Sequence, residues 1–307
     1  MIYVWLIVGF VLLVKGADYF VDGSSAAAKY LRVPSVIIGL TIVAFGTSAP
    51  EAAVSITAAV EGNNGIAVGN VIGSNIFNLL VVLGVSSLLL PVAANKKILY
   101  GDFVFSIVVS VVLLGMIAFD LELGRIDGLV LFGFFLYFLY ATIKTALKNR
   151  TKEEKREELL PPGKCIFYIA LGLTAIIMGG NLVVDSASQI AAVFGMSQTL
   201  IGLTIVAVGT SLPELVTSAV AACKGESGLA MGNVIGSNIF NILAILSLSS
   251  LLHPITVEII NVYDMIFLLG VSILGWVVTW TKMEIGRMEG LAMILIYSGY
   301  LAYIIMR

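Results

Sequence analysis

Two glutamates, Glu51 and Glu214, lie in the middle of long apolar stretches of the sequence. A carboxylate near the centre of a bilayer costs roughly 2.5–3.5 kcal/mol on insertion scales, and such residues usually face a bundle interior and mark an ion pathway. We find no intramembrane Lys, Arg or His placed to form an ion pair with either glutamate. Both carboxylates are therefore expected to bind cations rather than to form structural ion pairs.

Each glutamate directly follows a proline, Pro50 or Pro213. A proline inside a helix has no N–H to donate and clashes with the carbonyl four residues earlier, which belongs to a glycine in both cases. We expect the helix to kink or unwind there and to release backbone carbonyls over 44–47 and 207–210. Non-helical backbone at membrane depth is tolerated only where it is buried in protein or lines a cavity.

Hydroxyl and amide side chains accompany the two glutamates at helical spacing. Thr47 and Ser48 precede Glu51 by four and three residues, so in a continuous helix they share its face. The complete set is Thr47, Ser48, Ser74 and Asn78, repeated as Thr210, Ser211, Ser237 and Asn241. Carboxylate, hydroxyl, amide and carbonyl oxygens without imidazole or thiolate suit Ca²⁺, which takes six to eight oxygens at ~2.3–2.6 Å, or Na⁺. Two carboxylates match the charge of one Ca²⁺ or of two Na⁺.

The composition indicates that these residues lie in a membrane. Of the 307 residues, 59% are hydrophobic and 12% are charged, about half the ~25% charged residues of a soluble domain. Apolar stretches near the ~20 residues needed to cross a hydrocarbon core recur along the whole chain. The net charge of −2 gives no reason to expect nucleic acid as a partner.

The sequence contains an internal duplication. Residues 38–91 and 201–254 align without a gap, and 35 of the 54 pairs are identical. Apolar length and breaker residues predict five spans in each half, so the fold class is an all-α polytopic membrane protein with ten transmembrane helices. An odd number of spans makes the second half enter from the opposite side, which gives two inverted five-helix repeats. We predict repeats at 1–147 and 165–307, joined by a linker at 148–164.

Basic residues predict the orientation. With the N-terminus outside, fourteen Lys and Arg residues fall in cytoplasmic connections and only Arg125 and Arg307 on the external side. This bias follows the positive-inside rule. We expect a multi-pass protein of the cell membrane with both termini outside and the linker in the cytoplasm.

Other polar and small residues of the duplicated segment have two interpretations. The spacings Gly69-x-x-x-Gly73 and Gly232-x-x-x-Gly236 favour close helix packing over ion contact. The additional asparagines bond either to opened backbone or to ions; they are Asn70, Asn75, Asn233 and Asn238.

The duplicated motifs resemble a known family. GTSAPE at 46–51 and GTSLPE at 209–214, each followed by GNVIGSNIFN, are similar to the α-repeats of the Ca²⁺/cation antiporter superfamily, specifically its sodium/calcium exchangers. The resemblance covers nearly the whole chain. It implies alternating access around a cluster of ion sites, with the first and sixth spans sliding against the remaining eight.

The resemblance also implies roles for individual residues. Glu51 and Glu214 would be central ligands shared by Ca²⁺ and Na⁺, and the carbonyls of Thr47 and Thr210 would complete the Ca²⁺ site. The flanking Na⁺ sites would be lined by Ser48, Ser74, Asn78 and Ala44 with Ser211, Ser237, Asn241 and Ala207. No cofactor is expected beyond the transported Ca²⁺ and Na⁺, and the protein is expected to function as a monomer in the lipid bilayer.

One departure from some relatives is informative. Potassium-dependent members carry Asp where this chain has Asn241, and here both repeats have Asn. A third acid is therefore missing, which argues against a K⁺ requirement. With only two acids to balance bound cations, and more than two Na⁺ per Ca²⁺ implied by the family, the exchange is expected to be electrogenic.

Three other functions fit some of these features. A proton/calcium exchanger would use the same acids, although no additional buried acid or His supports it. A cation channel would need a continuous pore, which broken helices in inverted repeats do not favour. An intramembrane enzyme with Glu51 and Glu214 as an acid/base pair would need a nucleophile or a metal-activating His, and neither is found. The protein is expected to be a transporter and not an enzyme.

Overall fold

The computed structural model describes residues 1–148, 160–196 and 205–306. Helices make up most of this part of the chain. They are α1 (Ile2–Leu31), α2 (Ser35–Ile38), α3 (Ala44–Thr47), α4 (Ala49–Val60), α5 (Asn64–Phe77), α6 (Leu83–Leu89), α7 (Phe103–Asp120), α8 (Arg125–Lys148), α9 (Pro162–Val193), α10 (Ala207–Thr210), α11 (Leu212–Cys223), α12 (Ser227–Phe240), α13 (Ser247–Leu252), α14 (Ile259–Lys282) and α15 (Arg287–Met306). Wider π-helical turns at 39–43, 78–82, 98–102 and 241–246 join neighbouring helices.

The described helices account for nine of the ten predicted spans. Eight continuous helical segments are long and apolar enough to cross a bilayer, and a ninth span is the bent pair Ser35–Thr47 and Ala49–Val60. The remaining predicted span, the seventh in chain order, includes residues 197–204, which are outside the described ranges, and continues as α10 and α11. Most of the predicted linker, 149–159, also lies outside them. The all-helical membrane fold predicted from composition and span length is confirmed.

Both proline-glutamate motifs interrupt their spans, as predicted. The two parts of the second span meet at an angle of 51°, with the break at Ser48, and the equivalent break lies at Ser211. The prolines do not kink continuous helices, however. Pro50 and Pro213 are the second residues of new helices, α4 and α11, where a missing N–H costs nothing because the first turn has no partner for it. Each glutamate therefore stands in the first turn of a helix that begins inside the membrane.

Two short antiparallel ribbons connect the repeats. Val92–Ala93 (β1) pairs with Glu284–Ile285 (β4), and Glu122–Leu123 (β2) pairs with Ile255–Thr256 (β3). Because β1 and β3 occupy equivalent places in the two repeats, as do β2 and β4, the two ribbons are the same contact made twice. Each one links a connection of one repeat to a connection of the other.

The first and sixth spans form a tightly packed helix pair. A Cβ on Gly172 would lie 2.6 Å from the carbonyl oxygen of Gly16, and one on Gly179 would lie 2.7 Å from that of Gly9. Glycine is therefore required at these positions for the two backbones to approach so closely. The close glycine contacts show that α1 and α9 are packed tightly against each other beside the central helices.

Candidate cation site

The two glutamates are fully buried and are connected across the repeats. Glu51 and Glu214 both have 0% relative exposure. The Ser211 hydroxyl donates to Oε1 of Glu51 at 2.9 Å, and the Ser48 hydroxyl donates to Oε1 of Glu214 at 2.8 Å. The predicted grouping of Ser48 with Glu51 on one helix face is therefore wrong, because the helix ends at Ser48 before α4 begins. Each serine binds the glutamate of the other repeat instead.

Several buried oxygens of the predicted site residues have no hydrogen-bond partner in the described part of the chain. They are Oε2 of Glu51 and Glu214, Oγ of Ser74, and Oδ1 of Asn78 and Asn241. A buried polar atom without a partner costs about 1–3 kcal/mol, and native structures have few of them. Five unpartnered oxygens from predicted site residues are accounted for if they are ligands of a cation.

The backbone around the breaks is less open than predicted. The carbonyl of Ala44 accepts from the Ser48 N–H at 3.0 Å and lies 3.5 Å from the Ser237 hydroxyl. The Ser237 hydroxyl is also 3.5 Å from Oε1 of Glu214. Thr47 is fully buried, and its hydroxyl donates to the carbonyl of Val43 at 3.1 Å. The carbonyl of Ala44 therefore already accepts from the helix backbone, and the hydroxyls of Thr47 and Ser237 approach it at 3.4 and 3.5 Å.

The equivalent backbone in the second repeat lies at Ala207–Thr210, which is helix α10. Thr210 is partly exposed, whereas its counterpart Thr47 is fully buried. Asn70 is likewise partly exposed, whereas Asn233 is fully buried. The two halves of the site therefore differ in their access to the outside of the molecule.

Two of the additional asparagines donate to backbone, which is one of their two interpretations. The Asn70 amide is 3.4 Å from the carbonyl of Glu51, and the Asn233 amide is 3.4 Å from that of Glu214. Each of them also donates at 2.9 Å to a serine that we did not single out from the sequence, Ser55 or Ser218. Ser is found at this position in both repeats, and this identity was the signal by which the sequence could have identified the two serines.

The small-residue spacings mark close packing in the second repeat. A Cβ on Gly232 would lie 2.6 Å from the carbonyl oxygen of Val36, and one on Gly236 would lie 2.7 Å from the Cα of Leu40. Among the described residues, Gly73 has no such neighbour. The segment that the repeat would place against it, 199–203, is outside the described ranges.

A charged cluster that we did not predict joins α1 to the end of α11. Lys224 forms ion pairs of 2.6 Å with Asp18 and Asp22, and Ser25 donates to Glu226. Partial burial alone would lower the pKa of Lys224, but hydrogen bonds and the charges of the two aspartates raise it above its ordinary value. The lysine therefore holds its charge and bridges the two carboxylates.

The other repeat has an acid at the position of this lysine. Lys224 corresponds to Glu61, and Asp22 corresponds to Asp185. Neither acid forms an ion pair with another described residue. In agreement with this, α1 packs closely along α11, whereas its counterpart α9 makes no comparable contact with α4 in the described part of the chain. Among the described residues, ion pairs therefore join the two helices at this end of the molecule, whereas the equivalent positions of the other repeat carry two acids, Glu61 and Asp185.

The donor set excludes some chemistry. Within the described ranges, no group of three or more His, Cys, Asp or Glu residues could hold a metal ion. Two carboxylates surrounded by hydroxyl and amide oxygens are a poor site for zinc or copper but suit hard cations.

Comparisons with known proteins agree with this geometry. A family model described as sodium/calcium exchanger protein matches residues 1–144 and 164–306. The sodium/calcium exchanger MaX1 of Methanosarcina acetivorans is 36% identical, over 96% of this chain and 96% of its own length. The inner membrane protein YrbG of Escherichia coli is also 36% identical, over 98% of this chain and 95% of its own length.

A solved structure shows the same fold. The sodium-calcium exchanger NCX_Mj, soaked with Na⁺ and Sr²⁺, superposes with a TM-score of 0.86 at 33% identity, over 98% of this chain and 97% of that one. The match extends through the central helices that carry both glutamates. The chain is an integral membrane protein that belongs to the sodium/calcium exchanger family of cation antiporters.

Proposed function

We propose that this protein exchanges Na⁺ for Ca²⁺ across the cell membrane by alternating access to one buried site. The observation that carries the proposal is the pair of buried carboxylates, Glu51 and Glu214, each with one oxygen that has no hydrogen-bond partner within the described ranges. Their two negative charges match one Ca²⁺ or two Na⁺. The ions are substrates and share the same two acids, so they compete.

The remaining ligands follow from the oxygens around the glutamates. The Oγ of Ser74 and the Oδ1 atoms of Asn78 and Asn241, which have no hydrogen-bond partner among the described residues, are buried in the spans that follow those of the glutamates. We assign them to flanking Na⁺ sites with Ser48, Ser211, Ser237 and the carbonyls of Ala44 and Ala207. The carbonyls of Thr47 and Thr210 complete the Ca²⁺ site. When cations bind, the hydroxyls of Ser48 and Ser211 turn their lone pairs towards the ions.

The packing suggests how access alternates. The repeats 1–147 and 165–307 enter the membrane from opposite sides, with the linker 148–164 in the cytoplasm and both termini outside. In this orientation Lys224 lies at the cytoplasmic end, so its ion pairs with Asp18 and Asp22 close that side. The α1 and α9 pair slides as a unit and breaks these contacts when the cytoplasmic side opens.

The charges of the site bear on the K⁺ requirement of the exchange cycle and on the net charge that the cycle moves. Only two carboxylates are available, and Asn stands at both 78 and 241. A third acid that could bind K⁺ is missing, so exchange proceeds without K⁺. A load of more than two Na⁺ carries uncompensated positive charge, and the cycle is electrogenic. One complete site lies between the repeats of one chain, so a monomer suffices.

The experiment is a flux assay in proteoliposomes loaded with ⁴⁵Ca²⁺. An outward release of Ca²⁺ that requires external Na⁺ is expected. Release driven equally well by an external proton excess without Na⁺ would replace the proposal by proton/calcium exchange. Release that needs neither gradient and saturates poorly would indicate a channel.

A further inference from the structure

We infer that Asn75 and Asn238, which bind no ion themselves, fix the direction in which the site residues Asn78 and Asn241 present their amide oxygens. The inference rests on the proposed function and adds positioning residues to its site. Asn75 and Asn238 are equivalent in the two repeats, and both are almost completely buried.

The arrangement begins at two backbone carbonyls. The Asn75 amide Nδ2 donates to the carbonyl of Asn238 at 3.1 Å, and the Asn238 Nδ2 donates to the carbonyl of Asn75 at 3.2 Å. A carbonyl oxygen can only accept a hydrogen bond. It therefore determines which end of each amide faces it, and the Oδ1 of each must point the other way.

The fixed Oδ1 atoms then orient the next pair of amides. Oδ1 of Asn75 accepts from Nδ2 of Asn241 at 3.0 Å, and Oδ1 of Asn238 accepts from Nδ2 of Asn78 at 3.2 Å. Each site asparagine thus has its NH₂ group held by the opposite repeat. The Oδ1 atoms of Asn78 and Asn241 are left buried, with no hydrogen-bond partner among the residues that the structure describes.

The direction matters because the two ends of an amide have opposite effects on a cation. The oxygen is a ligand, whereas the NH₂ group carries partial positive charge and repels the ion. If the Asn75 amide were reversed, two acceptors would face each other at the Asn238 carbonyl. The Asn241 amide would have to reverse as well and would present its NH₂ group to the site. The crossed pair Asn75 and Asn238 therefore excludes this orientation in both repeats at once.

The test uses Asn75→Leu, which has a similar volume but neither accepts nor donates. In the protein with Asn241, the amide loses its anchor, and we expect the dissociation constant for Na⁺ to rise about tenfold, the effect of one lost buried hydrogen bond. In the Asn241→Asp protein both ends of the side chain are oxygens, so orientation no longer matters. There Asn75→Leu should leave the Na⁺ dissociation constant unchanged or lower it, because the leucine removes the contact in which Oδ1 of Asn75 and the new carboxylate, both acceptors, face each other.

The measurement is equilibrium ²²Na⁺ and ⁴⁵Ca²⁺ binding to the detergent-solubilised full chain. Asn238→Leu with Asn78→Asp repeats the comparison in the other half, and Asn75→Ala replaces any leucine variant that does not fold. Ser86→Ala, which alters a buried hydroxyl in the same span, is the matched control and should leave binding unchanged. An equal loss of Na⁺ affinity in the proteins with Asn241 and with Asp at that position would overturn the inference, because a purely structural role of Asn75 does not depend on the residue at 241. If the unaltered chain binds neither ion, the proposed function itself fails.

Discussion

Replacing one central carboxylate by its neutral amide should abolish Ca²⁺ exchange. In Glu214→Gln the site loses one of two negative charges and keeps its shape. Two unit charges 4 Å apart attract by about 4 kcal/mol at an effective dielectric constant of ~20, and a divalent ion doubles this value. If half of the doubled attraction is offset by the lower cost of dehydrating a neutral amide, about 4 kcal/mol remains, or a factor of about 10³ in Ca²⁺ affinity.

The same substitution should leave the fold intact. The amide oxygen of Gln can still accept from the Ser48 hydroxyl, which now donates to Glu214 at 2.8 Å. A neutral side chain is also cheaper to bury at membrane depth than a carboxylate. We therefore expect the ion-free Glu214→Gln protein to unfold at the same temperature as the unaltered protein or at a higher one.

The assay combines ⁴⁵Ca²⁺ flux in proteoliposomes with thermal unfolding in detergent. Glu51→Gln should behave like Glu214→Gln, because each glutamate accepts from the serine of the other repeat. Glu61→Gln is the control, since Glu61 is exposed just beyond the end of α4 and should retain full flux. Near-normal Ca²⁺ exchange in either site variant would refute the assignment of the buried carboxylates as shared ligands.

Four further outcomes are expected. A single cysteine introduced within 150–160 should be labelled from the cytoplasmic side, and labelling from outside would contradict the positive-inside orientation. Na⁺ and Ca²⁺ should compete for the site, and exchange should continue in K⁺-free solution. An absolute requirement for K⁺ would contradict the prediction drawn from Asn at both 78 and 241, since K⁺ would then bind without a third acid. An inside-negative membrane potential should speed Ca²⁺ efflux that is driven by external Na⁺, because each net charge moved across the membrane is worth about 2.3 kcal/mol per 100 mV. A flux that does not depend on the potential would indicate an electroneutral cycle. Lys224→Gln should increase the cytoplasmic labelling of a cysteine placed at Val216, which lines a cavity beside α1. The expected increase is up to about fivefold, because partly exposed ion pairs contribute about 0.2–1 kcal/mol. Unchanged labelling would mean that Lys224 does not hold that side closed.

The sequence predicted the fold class and the inventory of the site through the duplication. Because 35 of 54 aligned pairs are identical, every functional candidate occurred twice, which separated Glu51 and Glu214 from acids at span ends. The break in each span also followed from a local rule, since proline cannot continue the backbone ladder of a helix. The helix boundary itself could not be predicted, because Ser48 ends one helix and Pro50 lies at the start of the next.

The pairing of side chains was not predictable from spacing within a repeat. Spacing placed Ser48 with Glu51, yet Ser48 donates to Glu214, 166 positions away. The ion pairs of Lys224 with Asp18 and Asp22 also connect distant positions, and no sequence periodicity relates them. Both contacts depend on how α1, α4 and α11 approach one another.

By itself, the sequence determined which oxygens are available, that they lie at membrane depth, and that the set is duplicated. These properties follow from residue type, apolar length and repetition along one chain. The tertiary structure alone decided which repeat supplies the partner of each group. The reason is geometric: two inverted repeats bring equivalent segments together at the centre of the molecule, where Ser48, Ser211 and Asn78 meet partners that belong to the opposite repeat.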